Sequence, residues 1–85
     1  MKPVELDTNA FEDLALWIQQ DRKIALRIVE LIQEIQRTPF TSTVKPEPIK
    51  HELQGCRSHH ITQEHRLVYD IQPDKIRILA CRYHD

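Results

Sequence analysis

The sequence predicts a small α+β fold in which a helical hairpin packs on a twisted antiparallel β-sheet. Two apolar patterns at helical spacing come first, and three segments with strand-like alternation follow a proline-rich connection. The chain has 85 residues, of which 40% are hydrophobic and 29% are charged, and it has one glycine. This composition suits one modest core and argues against disorder. We therefore expect residues 1–85 to form a single domain.

The first predicted helix extends from about Asn9 to Gln20. Thr8 or Asn9 can cap its N-terminus with a side-chain oxygen. Its apolar residues recur at helical spacing and comprise Phe11, Leu14, Ala15 and Ile18. Trp17 lies near this stripe, and we assign it to the core.

The second predicted helix begins after Asp21, whose side chain can cap it. Its apolar stripe consists of Ile24, Ile28, Leu31 and Ile35. The helix should end where Thr38 meets Pro39, because the residue before a proline disfavours helical geometry. The two helices should form an antiparallel hairpin with one apolar face.

A proline-rich connection, residues 38–55, separates the helices from the predicted strands. Its prolines interrupt both helical and sheet hydrogen bonding and are Pro39, Pro46 and Pro48. Three strands are predicted after it, at about Cys56–Thr62, His65–Ile71 and Lys75–His84. A tight turn at Pro73 joins the last two, so we expect an antiparallel meander.

Strand alternation assigns the residues of this sheet to its two faces. In the middle strand, Arg66 lies on one face, and Leu67, Tyr69 and Ile71 lie on the other. In the last strand, one face carries Ile76, Ile78, Ala80, Arg82 and His84. The other face carries Arg77, Leu79, Cys81 and Tyr83. One face of the sheet should bind the hairpin, and the other can hold a concave site.

The N-terminus and the cysteine content indicate a cytoplasmic protein. No apolar run approaches the roughly 20 residues of a membrane span, and the first residues lack the basic and apolar regions of a signal peptide. Cys56 and Cys81 are too few for a disulfide framework, so we expect reduced, buried thiols. The net charge of −1 is low for an RNA-binding protein, but the five histidines could add positive charge at lower pH.

Three residues suit the metal-free cleavage of RNA. This reaction needs a base for the 2′-hydroxyl, a cation for the phosphorane charge and an acid for the departing 5′-oxygen. Glu47, Arg66 and His84 could fill these roles in that order. The alternatives are a solvated carboxylate at Glu47, a surface ion pair at Arg66 and a frayed terminal imidazole at His84. Asp85 beside His84 favours the protonated imidazole that an acid needs.

A zinc site is the competing interpretation of the histidine-rich segment. Its ligands would come from His51, Cys56, His59, His60 and His65. Their spacing matches no compact zinc motif, and alternation places His59 and His60 on opposite faces of a strand. We therefore expect neither a metal nor another cofactor.

Five segments of the chain carry a family pattern in order and at matching spacing. They are RTPF (37–40), KPEPIKH (45–51), Gly55, EHRLVY (64–69) and ACRYH (80–84). With them the chain resembles the YoeB/Txe toxins, a branch of the RelE superfamily of messenger-RNA endonucleases. The resemblance implies a RelE-like fold with an N-terminal strand at Pro3–Leu6. It also implies that Glu47 is the general base, that Arg66 contacts the scissile phosphate and that His84 is the general acid.

The resemblance further implies a set of RNA-binding residues. These are Lys50, His51, Arg57, His59, His60, Arg82 and Tyr83. Family members commonly have tryptophan, serine, arginine and arginine where this chain has Arg57, Ser58, His59 and His60. Asp85 also stands where the family usually has a terminal tyrosine. These departures predict activity that is reduced or shifted towards lower pH.

The implied function is that of the toxin in a type II toxin–antitoxin module. Such a toxin cleaves mRNA in the ribosomal A site and leaves 2′,3′-cyclic phosphate and 5′-hydroxyl ends. Its implied partners are a YefM-like antitoxin, mRNA and the ribosome. Operator DNA would be contacted only through the antitoxin; a homodimer is allowed, and no membrane partner is expected. The alternative is a catalytically weak toxin-like domain that acts mainly as an antitoxin-binding co-repressor.

Overall fold

The computed structural model describes residues 1–37 and 56–83, together with the backbone of Glu47–Pro48. Its helices are α1 (Thr8–Gln20) and α2 (Arg22–Arg37). Its strands are β1 (Val4–Leu6), β2 (Glu47–Pro48), β3 (Arg57–His60), β4 (Arg66–Ile71) and β5 (Ile76–Ala80). Within these residues the strands form one sheet in the order β1-β5-β4-β3-β2. The predicted α+β fold, with two helices packed on a sheet, is confirmed.

Helix α1 begins at Thr8, and its N-cap is Asp7 rather than Thr8 or Asn9. The Asp7 backbone N–H donates to the Ile78 carbonyl at 2.9 Å, and an Asp7 carboxylate oxygen lies 2.9 Å from the Arg77 guanidinium. The Asp7 carbonyl accepts the first helical bond, from the Phe11 N–H, at 2.9 Å. The contacts of Asp7 with β5 thus decide where the helix starts, and local cap preference does not.

The buried stripe of α1 differs from the predicted one. Phe11 and Ile18 are 62% and 52% exposed, whereas Ala10 and Trp17 are buried. The Trp17 indole Nε1 donates to the Cys81 carbonyl at 2.9 Å, a bond that requires the ring to face the sheet. A buried indole N–H needs such an acceptor, and this bond sets the rotation of the helix.

Helix α2 follows the prediction closely. The Ile24 N–H lies 3.4 Å from an Asp21 carboxylate oxygen, as expected for a cap. Three residues of the predicted stripe are buried, namely Ile28, Leu31 and Ile35. The described helix ends at Arg37, directly before the Thr38 and Pro39 pair.

The sheet is mixed, because β1 pairs with β5 in parallel while the other strand pairs are antiparallel. This corrects the wholly antiparallel prediction. Parallel neighbours need a long crossover, and the two helices and three strands between β1 and β5 supply it. The N-terminal strand itself is confirmed, with Val4 opposite Ile76.

A β-bulge between β4 and β5 changes which residues of β5 share a face. Val68 is opposite Ala80 but Tyr69 is opposite Ile78, so Leu79 is an extra residue on β5. The bulge resets the alternation, and Ala80 joins a different cluster from Ile76 and Ile78. The prediction that Ala80 shares a face with those isoleucines is therefore wrong. Strand β5 also ends at Ala80 rather than at His84.

The two faces of the sheet bury different sets of residues. The first, here called the helix-packed face, includes Leu67, Tyr69, Ile76, Ile78 and Cys81, which pack with α1 and α2. The second face carries a smaller cluster of Cys56, Val68 and Ala80. No helix within residues 1–37 and 56–83 is long and apolar enough to cross a membrane.

The two cysteines are free and buried, as predicted. Burial raises the pKa of the Cys81 thiol to about 12, and the nearby Asp13 charge acts in the same direction. Burial also raises the pKa of the Cys56 thiol, with a further upward effect of Asp70 and an opposing one of Arg77. Both groups are therefore neutral thiols near pH 7 and poor nucleophiles.

Candidate active site

The site is built around Arg66, at the start of β4. The Arg66 guanidinium donates to the Ser58 hydroxyl oxygen at 3.0 Å. Ser58 is 2% exposed and lies opposite Val68 in the neighbouring strand, while Arg66 lies opposite His60. Since directly opposed residues share a face, Ser58, His60 and Arg66 all belong to the second face.

Strand register brings the position of Glu47 to the same place. Glu47 is the Cα partner of Ser58, and Pro48 is the partner of Arg57. Ser58 therefore stands between Glu47 on one neighbouring strand and Val68 on the other. The described backbone thus places the predicted base and the predicted phosphate ligand on the two strands that flank β3, β2 and β4. The Glu47 side chain, Lys50, His51 and His84 lie outside the described residues.

Tyr83 is attached to the start of β4 through both of its backbone groups. Its N–H donates to the His65 Nδ1 at 2.9 Å, and its carbonyl accepts from the Arg66 N–H at 3.0 Å. Tyr83 has a φ of 58°, in the left-handed region that costs a residue with a Cβ roughly 1–2 kcal/mol. The two hydrogen bonds hold this conformation and place Tyr83 beside Arg66.

The Tyr83 ring forms the exposed part of this arrangement. It is 53% exposed, its centroid lies 4.6 Å from that of His65, and the Arg82 guanidinium carbon lies 4.9 Å above it. The last distance permits a cation–π contact. An aromatic ring and a guanidinium are therefore presented together next to Arg66.

His59 and His60 lie on opposite faces of the sheet, as alternation predicts. His60 is exposed, whereas His59 is 2% exposed and stacks on Tyr69 with ring centroids 5.7 Å apart. Burial, and to a lesser degree the charge of Arg27, lowers the pKa of His59. The His59 ring is therefore neutral and enclosed, which does not suit the predicted contact with RNA.

Arg57 also belongs to the helix-packed side of β3, opposite Tyr69. Burial raises the pKa of the Tyr69 phenol to about 12, and the Arg57 charge opposes this shift only in part. Arg57 is half-buried, one residue from Ser58 on the other face. The structure therefore separates Arg57 and His59 from the residues around Arg66.

Two residues of the site were not identified from the sequence. Ser58 matches the serine of the family pattern, and that match was the available signal for it. His65 is 8% exposed and contacts Tyr83 through Nδ1, whereas its place in the sequence suggests only a zinc ligand. Its interactions join residues far apart in the chain, which no local pattern reveals. Within the described ranges, no three of the His, Cys, Asp and Glu side chains are grouped to hold a metal ion.

Comparison with known proteins identifies the family. The model for the YoeB-like toxin of bacterial type II toxin–antitoxin systems matches residues 6–85. The chain is 49% identical to the toxin RelK of Mycobacterium tuberculosis over 84 residues, which are 99% of either chain.

Solved structures of relatives show the same fold. The YoeB dimer of Staphylococcus aureus has 36% identity and a TM-score of 0.88, covering 99% of this chain and 98% of that one. The YoeB–YefM complex from Staphylococcus aureus gives a TM-score of 0.85 at 35% identity, covering 100% of this chain and 99% of that one. The chain belongs to the family of YoeB-like toxins of bacterial type II toxin–antitoxin systems.

Proposed function

We propose that this toxin is a metal-independent endoribonuclease that cleaves mRNA in the ribosomal A site. The observation that carries the proposal is the placement of Arg66. Its side chain is held by Ser58, the Ser58 backbone pairs with Glu47, and the Arg66 N–H binds the residue before His84. In this proposal Glu47, Arg66 and His84 act together around the start of β4.

The reaction is a transesterification within the RNA strand. Glu47 accepts the proton of a ribose 2′-hydroxyl, and the oxygen attacks the adjacent phosphorus. His84 donates a proton to the departing 5′-oxygen as the phosphorus–oxygen bond breaks. The products are a 2′,3′-cyclic phosphate and a 5′-hydroxyl. Glu47 has gained one proton and His84 has lost one.

Arg66 stabilises the negative charge of the phosphorane. A guanidinium has five N–H donors in a planar fork, so the bond to Ser58 is compatible with bidentate donation to phosphate oxygens. The half-buried position strengthens such donation relative to that of a freely solvated side chain. Lys50 adds a second positive charge in this proposal.

The RNA-binding surface comprises His60, Arg82 and Tyr83, with Lys50 and His51 from the connecting segment. The exposed Tyr83 ring offers a stacking surface for a base, and Arg82 lies above that ring. His59 is left out because its ring is buried against Tyr69. Arg57, on the other side of β3, would contribute through its charge at the edge of the site.

A YefM-like antitoxin is the proposed protein partner. The complex formed by the Staphylococcus aureus relative supports this partner, and the dimer of that relative supports a homodimer as a second assembly. In this proposal operator DNA is contacted by the antitoxin, and the ribosome supplies most of the RNA-binding surface. The latter would account for the net charge of −1, which is low for an independent RNA-binding protein.

A co-repressor that cleaves poorly is the second candidate. The buried, neutral His59 favours it, because one position where the family commonly has arginine supplies no positive charge here. The two candidates differ in turnover and agree in antitoxin binding.

Primer extension on programmed ribosomes tests the proposal. Purified toxin is incubated with ribosomes that carry a defined mRNA, beside naked mRNA and beside the variant His84→Gln. Cuts within the A-site codon that appear only with wild-type toxin and ribosomes are the expected result. If toxin with a native circular dichroism spectrum cuts in none of the lanes but still binds its antitoxin, the co-repressor is the better description.

A further inference from the structure

His65 directly precedes β4 and lies between helix α1 and the chain segment that contains Tyr83. Its ring stands 4.7 Å from that of Trp17 on α1, edge to face, and 4.6 Å from that of Tyr83. Its backbone carbonyl accepts from the Ile61 N–H at 2.8 Å, and its N–H donates to the Thr62 hydroxyl at 3.2 Å. Backbone and ring are both restrained, so the direction of Nδ1 is well defined.

The hydrogen bond to Tyr83 determines the tautomer of this imidazole. Nδ1 accepts from the Tyr83 N–H at 2.9 Å and cannot carry a proton while it does so. The ring is therefore neutral with its proton on Nε2. A ring in this state can act as a fixed acceptor for the Tyr83 amide.

Trp17 supports the same segment two residues earlier. Its Nε1 donates to the Cys81 carbonyl at 2.9 Å, and its ring makes the T-shaped contact with the His65 ring. Because Trp17 is buried on α1, the segment from Cys81 to Tyr83 is coupled to the helical hairpin. The left-handed backbone conformation of Tyr83 is unfavourable in free energy, and these contacts offset that penalty.

We propose that His65 is a positioning residue whose Nδ1 holds the Tyr83 amide beside Arg66 and so restrains the backbone to which the next residue of the chain, His84, is bonded. The proposal rests on the proposed function, in which His84 protonates the leaving oxygen. His65 itself touches neither substrate nor the reacting atoms in this scheme. Without its Nδ1, the left-handed turn at Tyr83 loses one of its two backbone restraints.

The proposal predicts a defect in leaving-group protonation. Misplacement of a catalytic group by about 1 Å can reduce a rate about 10²-fold. We therefore expect His65→Leu to lower kcat about 10-fold or more, with a smaller rise in KM because the loosened Tyr83 belongs to the proposed RNA-binding surface. His65→Asn should restore most of kcat, since its side-chain oxygen can accept from the same amide.

A substrate with a sulfur leaving group separates positioning from a general structural role. An mRNA with a bridging 5′-sulfur at the scissile position departs as a thiolate and needs no proton from His84. His65→Leu should therefore cleave this substrate within about 3-fold of wild type while remaining slow on the oxygen substrate. Equal slowing on both substrates would show that His65 does not act through the acid, and the inference would be overturned.

An NMR measurement tests the inference independently of cleavage. The ring nitrogens of His65 in the wild-type toxin should give the ¹⁵N shifts of the Nε2–H tautomer, and the Tyr83 amide should be protected from hydrogen exchange. An Nδ1–H tautomer or an unprotected Tyr83 amide would overturn the inference even if His65→Leu failed to fold. Absence of cleavage by wild type, with the expected NMR result, would instead count against the proposed function alone.

Discussion

The helix-packed face and the second face of the sheet use residues of the same types for different purposes. On the helix-packed face His59 is enclosed, stacked on Tyr69 and neutral. On the second face its neighbour His60 is exposed. One step along a strand changes the environment from core to surface, so residue type alone does not identify a functional histidine.

The difference extends to polar groups. The helix-packed face is stabilised mainly by apolar contacts, whereas Ser58, buried on the second face, accepts a hydrogen bond from Arg66. A buried hydroxyl that binds a guanidinium orients a charge and adds little apolar stabilisation. Changes on the first face should therefore alter stability, and changes on the second should alter activity.

Ile28→Ala should give the largest effect and alter stability. Ile28 is fully buried in the helix-packed core, and truncation to alanine at such a site costs about 3 kcal/mol. Chemical denaturation of the toxin measures the free energy of unfolding. Leu26→Ala, at an exposed position of the same helix, is the matched control and should cost less than about 0.5 kcal/mol. Similar losses in both would contradict the assigned faces.

Glu47→Gln and His84→Gln should each lower turnover about 10²-fold or more, equal to roughly 2.7 kcal/mol of barrier. Each keeps the size of the side chain but removes the base or the acid. The measurement is the rate of A-site cleavage under single turnover. The melting temperature should stay within a few degrees of wild type. Normal rates in both variants would remove the proposed roles of these two residues.

Ser58→Ala should lower kcat/KM about 10-fold, because Arg66 loses the acceptor that orients it. A double-mutant cycle with Arg66→Ala tests this explanation. If Ser58 acts through Arg66, the serine substitution should have no further effect in the Arg66→Ala background. Additive losses would mean that Ser58 contributes by another route.

His59→Phe should give the smallest effect, a change in the pH dependence of stability. The pKa of His59 is lowered in the folded state, so below about pH 6.5 the unfolded chain takes up a proton that the folded chain does not. Stability from this group is thus complete above that pH and declines on acidification, by at most about 1.4 kcal/mol per pH unit. Phenylalanine keeps the stacking on Tyr69 and removes the titration, so the slope should flatten.

Denaturation at pH 7.5, 6.5 and 5.5 measures this slope, and the exposed His60→Gln variant provides the control. His59→Phe should also be neutral or slightly stabilising at pH 7.5. The His59 Nδ1 is buried without a hydrogen-bond partner in the described part of the chain, and the substitution removes this unpaired polar atom. An unchanged slope in His59→Phe would show that His59 does not titrate as its burial implies.

Much of the fold was predictable because it depends on local patterns. The α2 stripe of Ile28, Leu31 and Ile35 has helical period, and the alternation of Leu67 and Tyr69 identifies a strand with one core face. Errors arose where tertiary contacts decided between local alternatives. The rotation of α1 follows the Trp17 bond to Cys81, and the faces of β5 follow the bulge at Leu79.

The candidate site was predicted only in its chemically obvious members. Arg66 was assigned from its motif, and the structure adds its contact with Ser58. The role of His65 could not be predicted, because it depends on Tyr83, 18 positions away, and on the tautomer of a single ring. Hydrogen bonds between distant residues leave no periodic trace in a sequence.

The sequence by itself determined the fold class, the helical hairpin, the antiparallel meander of β3, β4 and β5, and the family to which the toxin belongs. These properties depend on hydrophobic period and on motifs whose residues are close together in the chain. The tertiary structure alone decided that β1 runs parallel to β5, that His59 is core while His60 is surface, and that Tyr83 is held by His65 and Arg66. Each of these depends on contacts across the sheet, where the free energy of one hydrogen bond or one buried ring selects among arrangements that the local sequence permits equally.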